Sequence, residues 1–136
     1  MRRRKAREYA LQFLFQSDFG DKGDIGRSLK QFWVDKEKDD EVKKFATEII
    51  KGTLSGLDEI DATINKSAEH WVLQRMAAVD RNILRFAVYE ILHRKDIPSA
   101  VTINEALEIA KKYSSSESAP FINGLLDKIA KNAGKA

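Results

Sequence analysis

Apolar side chains recur along most of this chain at spacings of three and four, the period of a helix that buries one face. Wound as a helix, the segment from Arg3 to Phe19 places Ala6, Tyr9, Ala10, Phe13 and Leu14 on one wide stripe. Phe15 and Phe19 fall on the opposite side, with Glu8, Leu11 and, further back, Arg4. Two aromatics there imply either a second packing neighbour or an exposed docking surface. Gly20 and the glycine-rich stretch through Gly26 end the helix, and a short helix follows around Ser28 to Val34. The mixed-charge run Asp35-Lys-Glu-Lys-Asp-Asp-Glu reads as a solvated connection without function. From Asp40 to Asn65, Val42, Phe45, Ile49, Ile50, Leu54, Leu57, Ile60 and Ile64 define one long amphipathic helix, or two broken at Gly52 or Gly56.

Trp71, Val72, Leu73 and Met76 form a short apolar segment, read as a turn of helix under the core. The stretch Val79 to His93 is the most hydrophobic, with Ile83, Leu84, Phe86, Ala87, Val88, Tyr89, Ile91 and Leu92 surrounding the helix on nearly all sides. A helix apolar all round is a central one. Arg85 on this helix is expected to be a structural ion-pair or cap-binding residue rather than an RNA contact. Asp96-Ile97-Pro98 ends the helix, and the next carries Val101, Ile103, Ala106, Leu107, Ile109 and Ala110. Ser114-Ser-Ser-Glu-Ser is a loop and cap region, with Pro120 tolerated in the first turn of a final helix holding Phe121, Ile122, Leu125, Leu126 and Ile129. Gly124 inside that helix costs about 1 kcal/mol relative to Ala, which a close helix–helix contact would justify. The pattern is all-α.

Length and composition narrow the classes further. The 136 residues are read as a single domain, with a basic start at 2–7 and a Lys-rich tail at 131–136 that is expected to fray. With 43% hydrophobic and 33% charged residues the chain has the mass for a core, and seven Gly and two Pro are too few for the turns of an all-β sandwich. The absence of cysteine excludes a disulfide scaffold, a cysteine nucleophile and a zinc finger. No run approaches a membrane span, and Arg7, Glu8 and Gln12 interrupt what a secretory signal would need, so an intracellular location is expected.

Candidate chemistry is sparse. His70 and His93 are far apart and neither belongs to a ligand-spaced motif, so no metal site is expected. The carboxylates Asp39, Asp40, Asp58, Glu59 and Asp61 lie on polar faces or in connections, and no P-loop, GxGxxG or nucleophile elbow is present. The charge distribution is more informative. The net charge is only +3, yet Arg2, Arg3, Arg4, Lys5 and Arg7 open the chain without an acid among them. At a helix start these side chains form a solvent-facing collar, reinforced by the positive end of the helix dipole, that suits phosphates and the edges and faces of unpaired bases. A solubilising end and a membrane-surface helix are the competing readings; Phe13 and Leu14, which the core claims, weaken the latter.

Beyond these physical readings, Arg4-Lys-Ala-Arg-Glu-Tyr-Ala-Leu-Gln-Phe-Leu-Phe resembles the first helix of the NusB family of bacterial transcription antitermination factors. Val79-Asp-Arg-Asn-Ile-Leu-Arg-Phe-Ala-Val-Tyr-Glu-Ile-Leu, Asp96-Ile-Pro, Ile103-Asn-Glu-Ala and Phe121-Ile-Asn-Gly-Leu-Leu-Asp-Lys continue the resemblance in family order and spacing. It covers residues 2–17 and 71–129, while 20–70 match only in helical character. The resemblance implies an all-helical fold of about seven helices in two three-helix bundles, with no catalysis and no cofactor. It further implies binding to the boxA element of ribosomal RNA transcripts together with NusE, a small-subunit ribosomal protein, in an RNA polymerase antitermination complex of the bacterial cytoplasm. On this sequence the implied RNA surface comprises the basic run Arg2, Arg3, Arg4, Lys5 and Arg7 and the loop around Glu117 and Ser118; the implied NusE surface includes Phe15 and Asp80. One departure stands out: Ala119-Pro120 replaces the basic residue usual before the Phe-Ile-Asn-Gly block, which shifts the expected affinity toward the N-terminal arginines. A related domain occurs fused to cytosine RNA methyltransferases, but this chain has neither the length nor the cysteine for that reaction. The remaining alternatives are a helical interaction module whose arginines serve solubility, and, for the free protein, a homodimer that hides the cationic collar.

Overall fold

The structure, a computed structural model, describes residues 2–20, 23–68 and 73–135. Its elements are α1 (Arg2–Phe19), α2 (Ile25–Trp33), α3 (Asp40–Ser55), α4 (Leu57–Ser67), a 3-10 turn (Leu73–Arg75), α5 (Ala78–His93), α6 (Ser99–Tyr113) and α7 (Ser118–Asn132). There is no strand among the described residues, and the all-α expectation holds. Trp71 and Val72, expected beside the short turn, lie outside the described residues.

Helix ends follow local chemistry. Asp24 begins α2 by accepting the Arg27 N–H, and Asp39 begins α3 by accepting those of Glu41 and Val42. The long amphipathic stretch breaks at Gly56, not Gly52. Gly52 stays helical and serves another purpose: a Cβ there would overlap the Tyr89 ring of α5, so its missing side chain lets the two helices approach. The contact expected at Gly124 is absent, because a Cβ at that position meets nothing within 4 Å. The chain after α7 does not fray through Lys135. Gly134, at φ +71°, turns it back so that the N–H groups of Lys135 and Gly134 reach the carbonyls of Ala130 and Lys131. Lys135 then donates its ammonium to the carbonyls of Glu90 (3.1 Å) and Arg94 (2.8 Å) at the end of α5.

The buried side chains form one continuous cluster, with α5 at its centre. Ile83, Leu84, Phe86, Ala87 and Val88 are wholly buried, and α5 packs against α1, α3, α4, α6 and α7. Around it the helices sort into an α1–α3 set and an α5–α7 set, with α4 lying against α5 and α7. In the first set, Phe32 and Trp33 of α2 meet Phe13 and Tyr9 of α1 edge to face, and the Trp33 indole donates to Thr47 of α3. Arg85 is the ion-pair residue its position implied: its guanidinium spans Asp61 of α4 and Asp18 of α1.

Two substitutions test this packing in opposite directions. Phe86→Ala is expected to lower unfolding free energy by about 3–5 kcal/mol, read from urea titration with an unchanged slope. Gly124→Ala, in open space at a helical φ, is expected to raise it by about 0.5–1 kcal/mol, read as a higher melting midpoint.

Candidate nucleic-acid and partner interface

The first turns of α1 gather cations from consecutive positions, but most of them are already engaged. Arg2 forks onto Asp39, with Nε to Oδ2 and Nη2 to Oδ1 both at 2.9 Å. Arg4 forks onto Glu105 of α6 at 2.9 and 2.7 Å. Lys5 reaches Glu37 at 2.8 Å. That carboxylate also accepts the Tyr9 hydroxyl at 2.8 Å and the Asp39 N–H at 3.0 Å. The Lys5 ammonium, followed by the Asp39 amide and the Tyr9 hydroxyl, brings the Glu37 carboxyl down to about 2. The Arg2 hydrogen bond chiefly brings Asp39 down to about 2, and Arg4 lowers Glu105. Arg3 differs: among the described residues it makes no ion pair, and its guanidinium lies 4.3 Å over the Phe45 ring.

Arg7 corrects the collar. Expected to face solvent, it is only 2% exposed and forks onto the fully buried Glu90 of α5 at 2.8 and 2.9 Å. Thr102 of α6 donates a further 2.8 Å bond to the same carboxylate. The reason is helical phase: Arg7 stands one turn before Leu11 and two before Leu14, both buried. The sequence signal was Glu90 itself, a lone acid amid the apolar surround of α5, which requires a cation. Leu11 also corrects the opposite face, since it packs inward while its neighbours Phe15 and Phe19 do not.

Phe15 and Phe19, 37% and 69% exposed, pair with ring centroids 5.2 Å apart. Asp18, beside them, anchors this turn to α5 by accepting hydrogen bonds from Arg81 (2.8 Å), Asn82 (3.0 Å) and Arg85 (3.1 Å). Asp80 therefore lies at the same end of the molecule. Its carboxylate accepts hydroxyls from Ser114 (2.5 Å) and Ser118 (2.8 Å), so it holds the α6–α7 loop. Ser118 is buried by that bond, and Glu117 is exposed at the start of α7. Helix α6 runs alongside α1 in the same direction, tied by Arg4–Glu105 at one end and by Glu8 with Lys112 and Tyr113 further along. The cationic end and the aromatic pair thus occupy two ends of one seam, about 17 Å apart along the helix from Arg4 to Phe15. His93 meets Glu59 at 2.8 Å at the surface, and His70 lies outside the described residues. No group of three metal-ligating side chains occurs among the described residues, and none of their helices is long and apolar enough to cross a membrane.

Residues 4–131 of the chain match the NusB family model. The chain belongs to the NusB family. The transcription antitermination protein NusB of Desulfitobacterium hafniense is 51% identical over 137 residues, spanning 99% of this chain and 92% of that protein. Its counterpart in Thermodesulfovibrio yellowstonii is 49% identical over 140 residues, spanning 96% and 93%. Among solved structures, T. maritima NusB superposes with a TM-score of 0.85 at 43% identity over 95% of this chain and 90% of that one. A chain from a crystal structure of the antitermination factors NusB and NusE in complex with dsRNA gives a TM-score of 0.85 at 26% identity, over 96% and 97%.

The carboxylates that engage these cations escape a reading of the sequence. Glu37 and Asp39 fall within the run taken as solvated connection, yet they hold Lys5 and Arg2. Asp39 carried a usable signal, an Asp immediately before an amphipathic helix. For Glu105, only the packing of α6 on α1 shows the partner.

Arg7→Ala leaves Glu90 buried without its guanidinium and is expected to cost about 3–5 kcal/mol of stability, whereas Arg3→Ala should leave the melting curve nearly unchanged. Differential calorimetry of the two variants separates the internal arginine from the surface one. Acid titration gives a second check. The Glu37 and Asp39 carboxyls sit below their ordinary 4.5 and 3.8, so their contribution is complete above those values and disappears as pH falls toward about 2. The melting midpoint of the parent should carry that loss, and the Glu37→Gln, Asp39→Asn double variant should lack it.

Proposed function

We propose that this chain is a non-catalytic, RNA-binding transcription antitermination factor that holds a boxA-type single-stranded RNA segment and NusE on one composite surface. The family match over residues 4–131 carries this reading, and the solved NusB–NusE complex with dsRNA supports it. The concentration of cations at the start of α1 supplies the physical means. Arg2, Arg3, Arg4 and Lys5 contact phosphates and stack on or fork onto unpaired bases; Arg7 supports them from within the core. The loop at Glu117 and Ser118, fixed by Asp80 at the aromatic end, would extend the RNA surface along the α1–α6 seam away from the cationic end. Phe15, extended by Phe19, forms the apolar anchor for NusE, with Asp80 at the margin. In this reading the protein works in the bacterial cytoplasm beside RNA polymerase, as an adaptor whose specificity comes from the shared surface.

Two measurements test it. Salt dependence separates RNA binding from a purely structural module: affinity for a boxA oligoribonucleotide should fall steeply with salt. Replacing Arg2, Arg3, Arg4 and Lys5 by Ala should weaken it and flatten the slope by about 0.7 unit for each phosphate no longer neutralised. Salt-independent or absent RNA binding by the parent refutes the assignment. Phe15→Asp should abolish NusE binding while the variant melts near the parent temperature; normal NusE binding moves the partner site elsewhere.

A further inference from the structure

We propose that Glu37, Asp39 and Glu105 are specificity-determining residues of the cationic end, occupying Lys5, Arg2 and Arg4 in the free protein so that a phosphodiester chain binds there only by displacing them. The inference rests on the RNA-binding reading above and adds how the site rejects other anions. Three of the four accessible cations at this end are paired in good geometry. Arg2 and Arg4 are forked onto carboxylates with bonds of 2.7–2.9 Å, and Lys5 reaches Glu37 at 2.8 Å. The acids come from separate places, Glu37 and Asp39 from the α2–α3 connection and Glu105 from α6, so each cation is held from outside its own helix. Of the four, Arg3 is the one with no carboxylate partner among the described residues, its face lying on Phe45.

Such a site is selective by exchange. A tethered carboxylate acts at high effective concentration, so a lone phosphate or carboxylate in solution competes poorly for the same guanidinium. A phosphodiester chain differs because it presents several charges at fixed spacing and releases its condensed counterions when they are neutralised. It docks first on Arg3, then displaces Asp39, Glu105 and Glu37 in turn. The Arg2–Asp39 pair is exposed and weak enough to exchange readily. Arg4–Glu105 and Lys5–Glu37, whose carboxylates are 15% and 8% exposed, yield less easily, and the buried Arg7–Glu90 pair stays closed. The acids also fix the cations in place, so the displaced geometry starts near the bound one.

The experiment measures binding of the full chain to a boxA oligoribonucleotide and to heparin across a salt series. It compares the parent with Glu37→Gln, Asp39→Asn and Glu105→Gln, and with Glu41→Gln as a charge-matched control. Glu41 is exposed near Arg2 and makes no ion pair among the described residues. Each of the three variants should bind both polyanions about two- to fivefold more tightly than Glu41→Gln does, with a steeper salt slope. Inorganic phosphate, which should compete poorly for the RNA site of the parent, should compete more effectively in these three variants. Equal gains in all four variants reduce the effect to net charge and overturn the proposal; so does a loss of affinity in a variant that melts like the parent. Asn at 39 retains an oxygen for the α3 cap, and Glu105 has no capping role, so Glu105→Gln carries the test if the others shift the melting point. A parent that binds heparin but no RNA refutes the RNA reading, while the heparin series still decides the exchange.

Discussion

The Glu90 carboxylate, wholly buried in the central helix, is the constraint around which the other helices are arranged. It takes two hydrogen bonds from Arg7 of α1 and one from Thr102 of α6, while Lys135, beyond α7, caps the backbone of the same turn. A buried carboxylate without such partners is prohibitively costly, so these segments must converge in one register. That register sets the rotation of α1. With Arg7 turned inward, Ala6, Ala10 and Leu14 follow it into the core, and Phe15 and Phe19 are carried to the outside. Arg3, one turn earlier on the Arg7 face, is exposed because it stands at the helix start, over the Phe45 ring. One internal ion pair therefore governs which side chains of α1 are available for binding.

A second set of charges fixes the far end. Asp18 gathers Arg81, Asn82 and Arg85, and Arg85 in turn takes Asp61 of α4. The last turn of α1, which carries the exposed aromatic pair, is thus tied to α5 by directional bonds as well as apolar packing. Apolar contact alone would permit small rotations that redirect Phe15; a carboxylate receiving three donors does not. The molecule joins a cationic end and an aromatic end through one stiff helix, which suits an adaptor that must present an RNA and a protein in fixed relation.

The all-helical class, the central place of Val79–His93 and the placing of Phe15 and Phe19 opposite the core stripe of α1 were legible in the chain, because each rests on the 3.6-residue period of apolar positions. Whether residues 40–65 make one helix or two, and whether those aromatics are exposed, was not. The family blocks were legible for a similar reason: they are contiguous. Helix α2 was readable only in part, since it starts at Ile25 rather than Ser28, its beginning set by the Asp24 cap. The choice between Gly52 and Gly56 as the break lay with Tyr89, a residue in another helix.

By itself, then, the sequence determined the helical class, the hub helix and a cluster of cations at the start of the chain, because periodicity and local charge are written in consecutive residues. Only the tertiary structure decided what those cations do. Arg7 and Arg3 are four residues apart in the same basic run, yet one is sealed against Glu90 and the other lies on Phe45 at the surface. Arg2, Arg4 and Lys5 find Asp39, Glu105 and Glu37, partners separated from them by 37, 101 and 32 positions along the chain. Charge on a side chain is a local property, but its compensation depends on which carboxylate the fold brings within hydrogen-bonding distance, and that is settled by packing.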